Sequence, residues 1–192
     1  MTTIKKPAPE GCPYYPDLLD SQTRVLAYVP RWVIIRTLRT QSVAEHSYFV
    51  ALYAKRIGEL LGLSLEEMAE LVWAALVHDA DEMITGDVPT PSKKRHLYIH
   101  RDRVLDDMGY GEPDISAYSK DILKVADVYE ACMFLTDELA MGNTTVLPLW
   151  VEMLRDLYTK CEDLHPDLYE TLAPNIHKVE RTKLMTANGW RT

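Results

Sequence analysis

The chain lacks the residues that staple, span or wrap. Its 192 residues include three cysteines, Cys12, Cys132 and Cys161. They are odd in number, far apart and form no Cys-x-x-Cys, which leaves no disulfide framework and fits a reducing cytosol with buried, inert thiols. Positive charge is short: the formal net charge is −8. A nucleic-acid backbone calls for clustered Lys and Arg, so a nucleic-acid partner is not expected, although a few basic residues in a pocket could still hold a small anion. No apolar stretch follows the N-terminal Met1-Thr2-Thr3-Ile4-Lys5-Lys6-Pro7, and none approaches membrane-spanning length. These absences give the expectation of a cytoplasmic protein without a membrane partner. Alternating β patterns, internal repeats, low-complexity segments and dividing linkers are missing too.

What remains is an ordinary globular composition, 47% hydrophobic and 26% charged, long enough to bury a core without disulfides or a structural metal. The pattern is helical throughout. Residues 1–16 carry Pro7, Pro9, Pro13 and Pro16 and read as an irregular arm. Residues 17–187 read as one all-α domain, a bundle of about six to eight helices. A helix is expected from Asp17 to Tyr28, broken at Pro30. Ser42-Val43-Ala44-Glu45 reads as a capping box opening a helix to Leu61, with Gly62 as its stop. Ser64-Leu65-Glu66-Glu67 repeats the device and opens a helix through Asp79. Gly86 and Pro89-Thr90-Pro91 form a loop. A polar helix over 94–108, a long helix over 115–141, another over 145–163 and a last one over 167–185 follow.

Within this pattern, His78-Asp79 ends the apolar run Leu71-Val72-Trp73-Ala74-Ala75-Leu76-Val77. His46 lies on the first turn of the preceding helix, and Asp127 interrupts the apolar stretch of a later one. Adjacent residues on a helix point about 100° apart, so His78 and Asp79 reach one ion only at a helix margin. A buried, unpaired Asp127 would be costly, and a cation would offset that cost. Two imidazoles and two carboxylates suit one divalent transition metal, Co, Mn, Zn, Ni or Fe. They do not suit a structural zinc site, which favours thiolates. Each residue alone is more often a capping or surface group. The joint pattern carries the reading. His96, His100, His165 and His177 lack such context and read as surface residues.

His46, His78-Asp79 and Asp127 resemble the H…HD…D signature of the HD-domain phosphohydrolases. Arg31-Trp32 ahead of Arg39-Thr40-Gln41-Ser42-Val43-Ala44-Glu45-His46-Ser47 resembles the 5'-deoxynucleotidase (YfbR-like) branch. So does the word His78-Asp79-Ala80-Asp81-Glu82-Met83-Ile84-Thr85-Gly86-Asp87-Val88-Pro89-Thr90-Pro91. The resemblance spans roughly residues 20–142 and implies a helical, cytosolic homo-oligomer that binds a divalent metal through the four motif residues. The branch includes relatives, some viral, that strip the whole triphosphate from dATP. A second ion accompanying the substrate phosphates is a further option. The resemblance also implies roles for Arg31, Trp32, Glu82 and Asp87.

Elementary chemistry agrees. A metal so held lowers the pKa of a bound water. Glu82, about one turn beyond the metal pair, is placed to orient that water or protonate the leaving group; otherwise it is a solvated loop carboxylate. Arg31 offers a planar fork to phosphate; otherwise it is a surface cation. Trp32 offers a flat face to a base or sugar, with a core aromatic as the equal alternative. Asp87 would accept from a sugar hydroxyl or a water, or simply form a turn after Gly86. Ile34 would crowd a 2'-hydroxyl if it lined the pocket, or belong to the core with Val33 and Ile35. After Pro91 comes Ser92-Lys93-Lys94-Arg95-His96, then Arg101 and Arg103. That basic run raises the odds of a triphosphate substrate, although charge runs are usually solvated faces.

The expected activity is therefore hydrolysis of the 5' phosphate linkage of small-molecule 2'-deoxynucleotides. Monophosphates are narrowly preferred and a dATP triphosphohydrolase comes next. A non-catalytic nucleotide-binding module is the alternative of another class, and the intact ligand set and Glu82 argue against it. A cyclic-nucleotide phosphodiesterase would need a richer His/Asp set.

Overall fold

A computed structural model of the chain describes residues 24–89, 105 and 113–187, with side chains as far as 177. The expectations for residues 1–23, Pro91, Lys93, Lys94, Arg95, His96, His100, Arg101 and Arg103 lie outside the described residues. So does the polar helix over 94–108, except Leu105, which is helical and fully buried.

Five long helices and one single turn of helix form the described bundle: α1 Val43–Leu60, α2 Leu65–Val77, α3 Glu82–Thr85, α4 Ala117–Ala140, α5 Leu147–Leu164 and α6 Leu168–Ala187. Two 3-10 turns, Val25–Tyr28 and Thr144–Val146, precede α1 and α5. Among the described residues there is no strand, only an isolated bridge between Pro30 and Ser42. Within the described part, the helix expected from Asp17 is one 3-10 turn ending at Tyr28. Pro30, which has no amide proton to give, follows it.

The two Ser-led helix starts differ. At α2 both halves of the capping box form: Ser64 Oγ accepts from the Glu67 amide, and the Glu67 carboxylate accepts from the Ser64 amide. At α1 only the first half forms, with Ser42 Oγ accepting from the Glu45 amide. The Glu45 carboxylate turns instead to Arg39, 2.5 Å away. An ion pair with a nearby guanidinium has displaced the reach-back to the cap.

The long helix α4 is the axis of the fold. It packs against α1, α2, α5 and α6, which is why apolar residues surround it: Ile122, Val125, Ala126, Tyr129, Cys132 and Leu135 are all buried. Helix α1 presents Val50, Ala54 and Ile57 to the same core, and α2 adds Leu71 and Ala75. Gly58 lets α1 and α2 approach closely, since a Cβ there would lie 2.9 Å from Met68 Cε. Truncating a fully buried side chain such as Leu135 to alanine should cost about 2–5 kcal/mol through lost burial and the cavity left behind. No helix among the described residues is long and apolar enough to cross a membrane.

The start of α1, the end of α2 and the middle of α4 meet at one place. These are the segments that carry His46, His78-Asp79 and Asp127.

Candidate metal centre

Three of the four sequence-selected residues, His46, His78 and Asp79, bring their ligand atoms within 4.8 Å of one another, and Asp127 lies against the two imidazoles. His46 Nε2 lies 3.3 Å from His78 Nε2, 3.1 Å from Asp127 Oδ1 and 3.8 Å from Asp79 Oδ2. His78 Nε2 lies 3.3 Å from Asp79 Oδ2 and 4.0 Å from Asp127 Oδ1. Ligands at about 2.0–2.2 Å from a transition metal stand roughly 3–3.5 Å from one another, and the His46–His78, His78–Asp79 and His46–Asp127 distances fall in that range.

The far nitrogens decide which atoms face the centre. His78 Nδ1 lies 2.7 Å from the Ala75 carbonyl, an acceptor only, so Nδ1 carries the proton. His46 Nδ1 lies 2.5 Å from Glu130 Oε2, which fixes the same tautomer. Both Nε2 lone pairs then point at one spot, a repulsive arrangement that a cation resolves.

Without a metal, a proton takes the same place. The His46 ring is fully buried, which favours its neutral form, yet hydrogen bonds to Asp127 and Glu130 outweigh burial and push its pKa up to about 9. Partial burial works against ionisation of Asp127, but the hydrogen bond to His46 and the fields of His78 and Arg31 hold its carboxyl well below the usual range.

Local structure explains the convergence. Helix α2 stops at Val77, His78 is its C-cap and a turn follows, so two adjacent side chains can share one target at a helix margin. One expectation needs correcting. Asp127 is not a deeply buried carboxylate: its side chain is 44% exposed while that of His46 is 0%. The centre therefore opens on the Asp127 side, and proximity to two imidazoles, rather than burial, gives Asp127 its need for a cation.

Around the centre lies the segment from Pro30 to Ser42, pinched at its base. Arg31 donates its amide to the Gln41 carbonyl at 2.8 Å and Val43 donates to Val29 at 2.9 Å. Its far end is held by Glu138, fully buried, which accepts from the Leu38 amide at 2.7 Å and the Arg39 amide at 2.9 Å. Asn143 Nδ2 ties the same carboxylate, at 2.7 Å, to the Arg36 carbonyl, at 2.9 Å.

Trp32 sits in this segment at φ 64°, a left-handed conformation that costs a bulky residue about 1–3 kcal/mol. Three contacts offset the strain. Its amide donates to Asp87 Oδ2 at 2.8 Å, its Nε1 donates to Gln41 Oε1 at 3.0 Å, and its ring stacks on Phe134 with centroids 5.4 Å apart. The Arg31 guanidinium lies 5.4 Å from the Trp32 ring centre and 3.4 Å from Glu130 Oε2.

Of the other expected site residues, Glu82 is buried in α3, its amide bonded to the Asp79 carbonyl at 3.1 Å. Asp87 tethers Trp32. Ile34 is 69% exposed and Val33 is exposed too, so the core alternative for both is corrected; only Ile35 packs on the core. His165 is exposed as expected, while His177 is half-buried. Sequence reasoning missed Glu130, Gln41 and Glu138. For Glu130 a signal existed, a carboxylate one turn after Asp127 on the same helix face.

Comparison with known proteins identifies the family. Residues 21–106 match the family described as 5'-deoxynucleotidase YfbR-like. The 5'-deoxynucleotidase YfbR of Photorhabdus temperata is 31% identical over 150 residues, covering 62% of this chain and 72% of that protein. The chain belongs to the YfbR-like 5'-deoxynucleotidase family. A dATP triphosphohydrolase of Salmonella phage PMBT28 is 35% identical over 134 residues, 63% of this chain and 65% of the phage protein. The HD phosphohydrolase DatZ of cyanophage S-2L, solved with dA and one catalytic Zn²⁺ ion, shares the fold. Its TM-score is 0.65 at 22% identity, over 84% of this chain and 95% of that one.

Proposed function

We propose that the chain is a divalent-metal-dependent phosphohydrolase that cleaves the 5' phosphate ester of 2'-deoxynucleotides. The observation that carries this is the pair of His46 and His78 Nε2 atoms, 3.3 Å apart with each Nδ1 engaged elsewhere, beside two carboxylates and Arg31. His46, His78, Asp79 and Asp127 would hold the ion, of the Co, Mn, Zn, Ni or Fe class. When bound, it supplies Lewis acidity toward a water and a phosphoryl oxygen. Glu82, one turn beyond Asp79, holds or delivers the proton that the leaving 5' oxygen needs. Arg31 grips the phosphate. Asp87 keeps Trp32 in place, and Trp32 sets one wall for the sugar or base. Ile34, on the exposed tip of the same segment, is the candidate for crowding a 2'-hydroxyl.

The preferred substrate is a deoxynucleoside monophosphate, for which one clamp, Arg31, suffices. Release of triphosphate from dATP is the second reading, supported by the likeness to the phage enzyme and by the basic run with Lys93 and Lys94 after Pro91. A cytoplasmic setting and a homo-oligomeric state follow the family pattern, and sedimentation would test the latter. The deciding experiment incubates the protein with dAMP and with dATP in Co²⁺ or Mn²⁺ and separates phosphate from triphosphate. Deoxynucleoside from either substrate supports the proposal, triphosphate with dAMP untouched selects the second reading, and no product from either overturns both.

A further inference from the structure

Glu130 joins three groups that belong to different parts of the site: His46, Arg31 and Gln41. It is 3% exposed and lies one turn beyond Asp127 on α4. Its Oε2 accepts from His46 Nδ1 at 2.5 Å and from Arg31 Nη1 at 3.4 Å. Its Oε1 accepts from Gln41 Nε2 at 2.6 Å. Gln41, fully buried, accepts on its other atom from Trp32 Nε1 at 3.0 Å. Only one arrangement of protons satisfies this chain. Trp32 Nε1 can only donate and an ionised carboxylate can only accept, so the Gln41 amide has a single workable orientation.

We propose that Glu130 is the positioning residue that couples the metal ligand His46 to the substrate-facing pair Arg31 and Trp32. The inference rests on the metal reading above. A carboxylate is required because three donors converge on two oxygens. Glu130→Gln would replace one oxygen with an NH₂ group of similar size. If the remaining oxygen faces His46, the new NH₂ meets the Gln41 NH₂. Gln41 must then turn, which sets its NH₂ against Trp32 Nε1–H. If the oxygen faces Gln41, the NH₂ meets His46 Nδ1. The ring proton then moves to Nε2, the atom needed for the ion. Either way one arm of the site is lost, and in both cases Arg31 loses its counter-charge.

The test titrates metal-free wild type and Glu130→Gln with Co²⁺ by calorimetry and measures kcat and KM on whichever of dAMP or dATP the wild type hydrolyses. Second-sphere partners of ligating histidines typically contribute about 10–100-fold in metal affinity. A loss of that size, or a KM increase of about tenfold with Co²⁺ affinity kept, supports the coupling. Arg31→Ala and Gln41→Ala should raise KM while leaving Co²⁺ affinity within about threefold, because His46 keeps its partner. Wild-type behaviour of Glu130→Gln in both affinity and KM overturns the coupling alone. A wild type that binds no Co²⁺ overturns the metal reading and this inference with it. Should Glu130→Gln not fold, long-range proton–nitrogen NMR of the Zn²⁺-loaded wild type decides instead. A proton on His46 Nδ1 supports the coupling, and a proton on Nε2 contradicts it.

Discussion

The two histidines of the candidate centre turn their Nε2 atoms toward one place, 3.3 Å apart, but are held in different ways. His78 is oriented locally: its Nδ1 donates to the carbonyl of Ala75, three residues back on its own helix. His46 is oriented from a distance, by a carboxylate 84 residues further along the chain. A backbone carbonyl comes with the end of any helix. A buried carboxylate must be brought in, desolvated and shared, and here it is shared with Arg31 and Gln41. The local device fixes one imidazole, whereas the long-range one ties the other imidazole to Arg31 and Gln41.

The largest expected effect ignores that difference. Asp79→Ala removes a carboxylate that lies near both imidazoles and should abolish metal binding and lower kcat/KM at least about a thousandfold, with far-ultraviolet circular dichroism unchanged. Retained turnover would break the account of a shared ion.

The next effect separates the two sides. Arg31→Lys keeps the charge but loses the planar fork that matches phosphate. It should raise KM about tenfold and leave Co²⁺ affinity near wild type. A larger effect on metal than on substrate would place Arg31 on the wrong side of the comparison.

A third effect isolates His46. Its pKa in the metal-free protein is raised from 6.5 to about 9, so an ion must displace a proton from it across the neutral range. Apparent Co²⁺ affinity should therefore rise about tenfold per pH unit up to pH 9 and level off above it. The same upward shift stabilises the metal-free fold most below the ordinary value of 6.5, and that contribution is lost as pH rises through about 9. Flat metal affinity between pH 6 and 9 would contradict the proton-for-metal exchange.

What the sequence made legible follows the same division between local and distant. The start and stop of α1 and the start of α2 were readable because Ser42, Gly62 and Ser64 act within a turn of where they sit. The proximity of His46, His78, Asp79 and Asp127 was readable because His78 and Asp79 mark a helix end and Asp127 stands out in an apolar run. Glu130 and Gln41 were not, because their value lies in partners 84 and 89 residues away. The left-handed Trp32 was not, because no glycine or asparagine marks it and the contacts that hold it come from Asp87, Gln41 and Phe134. The capping box at Ser42 was half right, since Arg39 competes for Glu45.

The smallest effect tests that last point. Ser64→Ala removes a complete, reciprocal cap and should lower stability by about 1 kcal/mol. Ser42→Ala, where only one half forms, should cost about half as much in the same denaturant titration. The reverse order would show that the ion pair with Arg39 supports α1 better than a cap does.

The central claim, that His46 and His78 converge on one ion with Asp79 and Asp127, is tested most directly by calorimetric titration of the metal-free protein with Co²⁺. The account predicts one ion per chain in the wild type and none in His46→Ala or His78→Ala. A wild type that binds no ion, or either variant binding one ion with wild-type affinity, would contradict it.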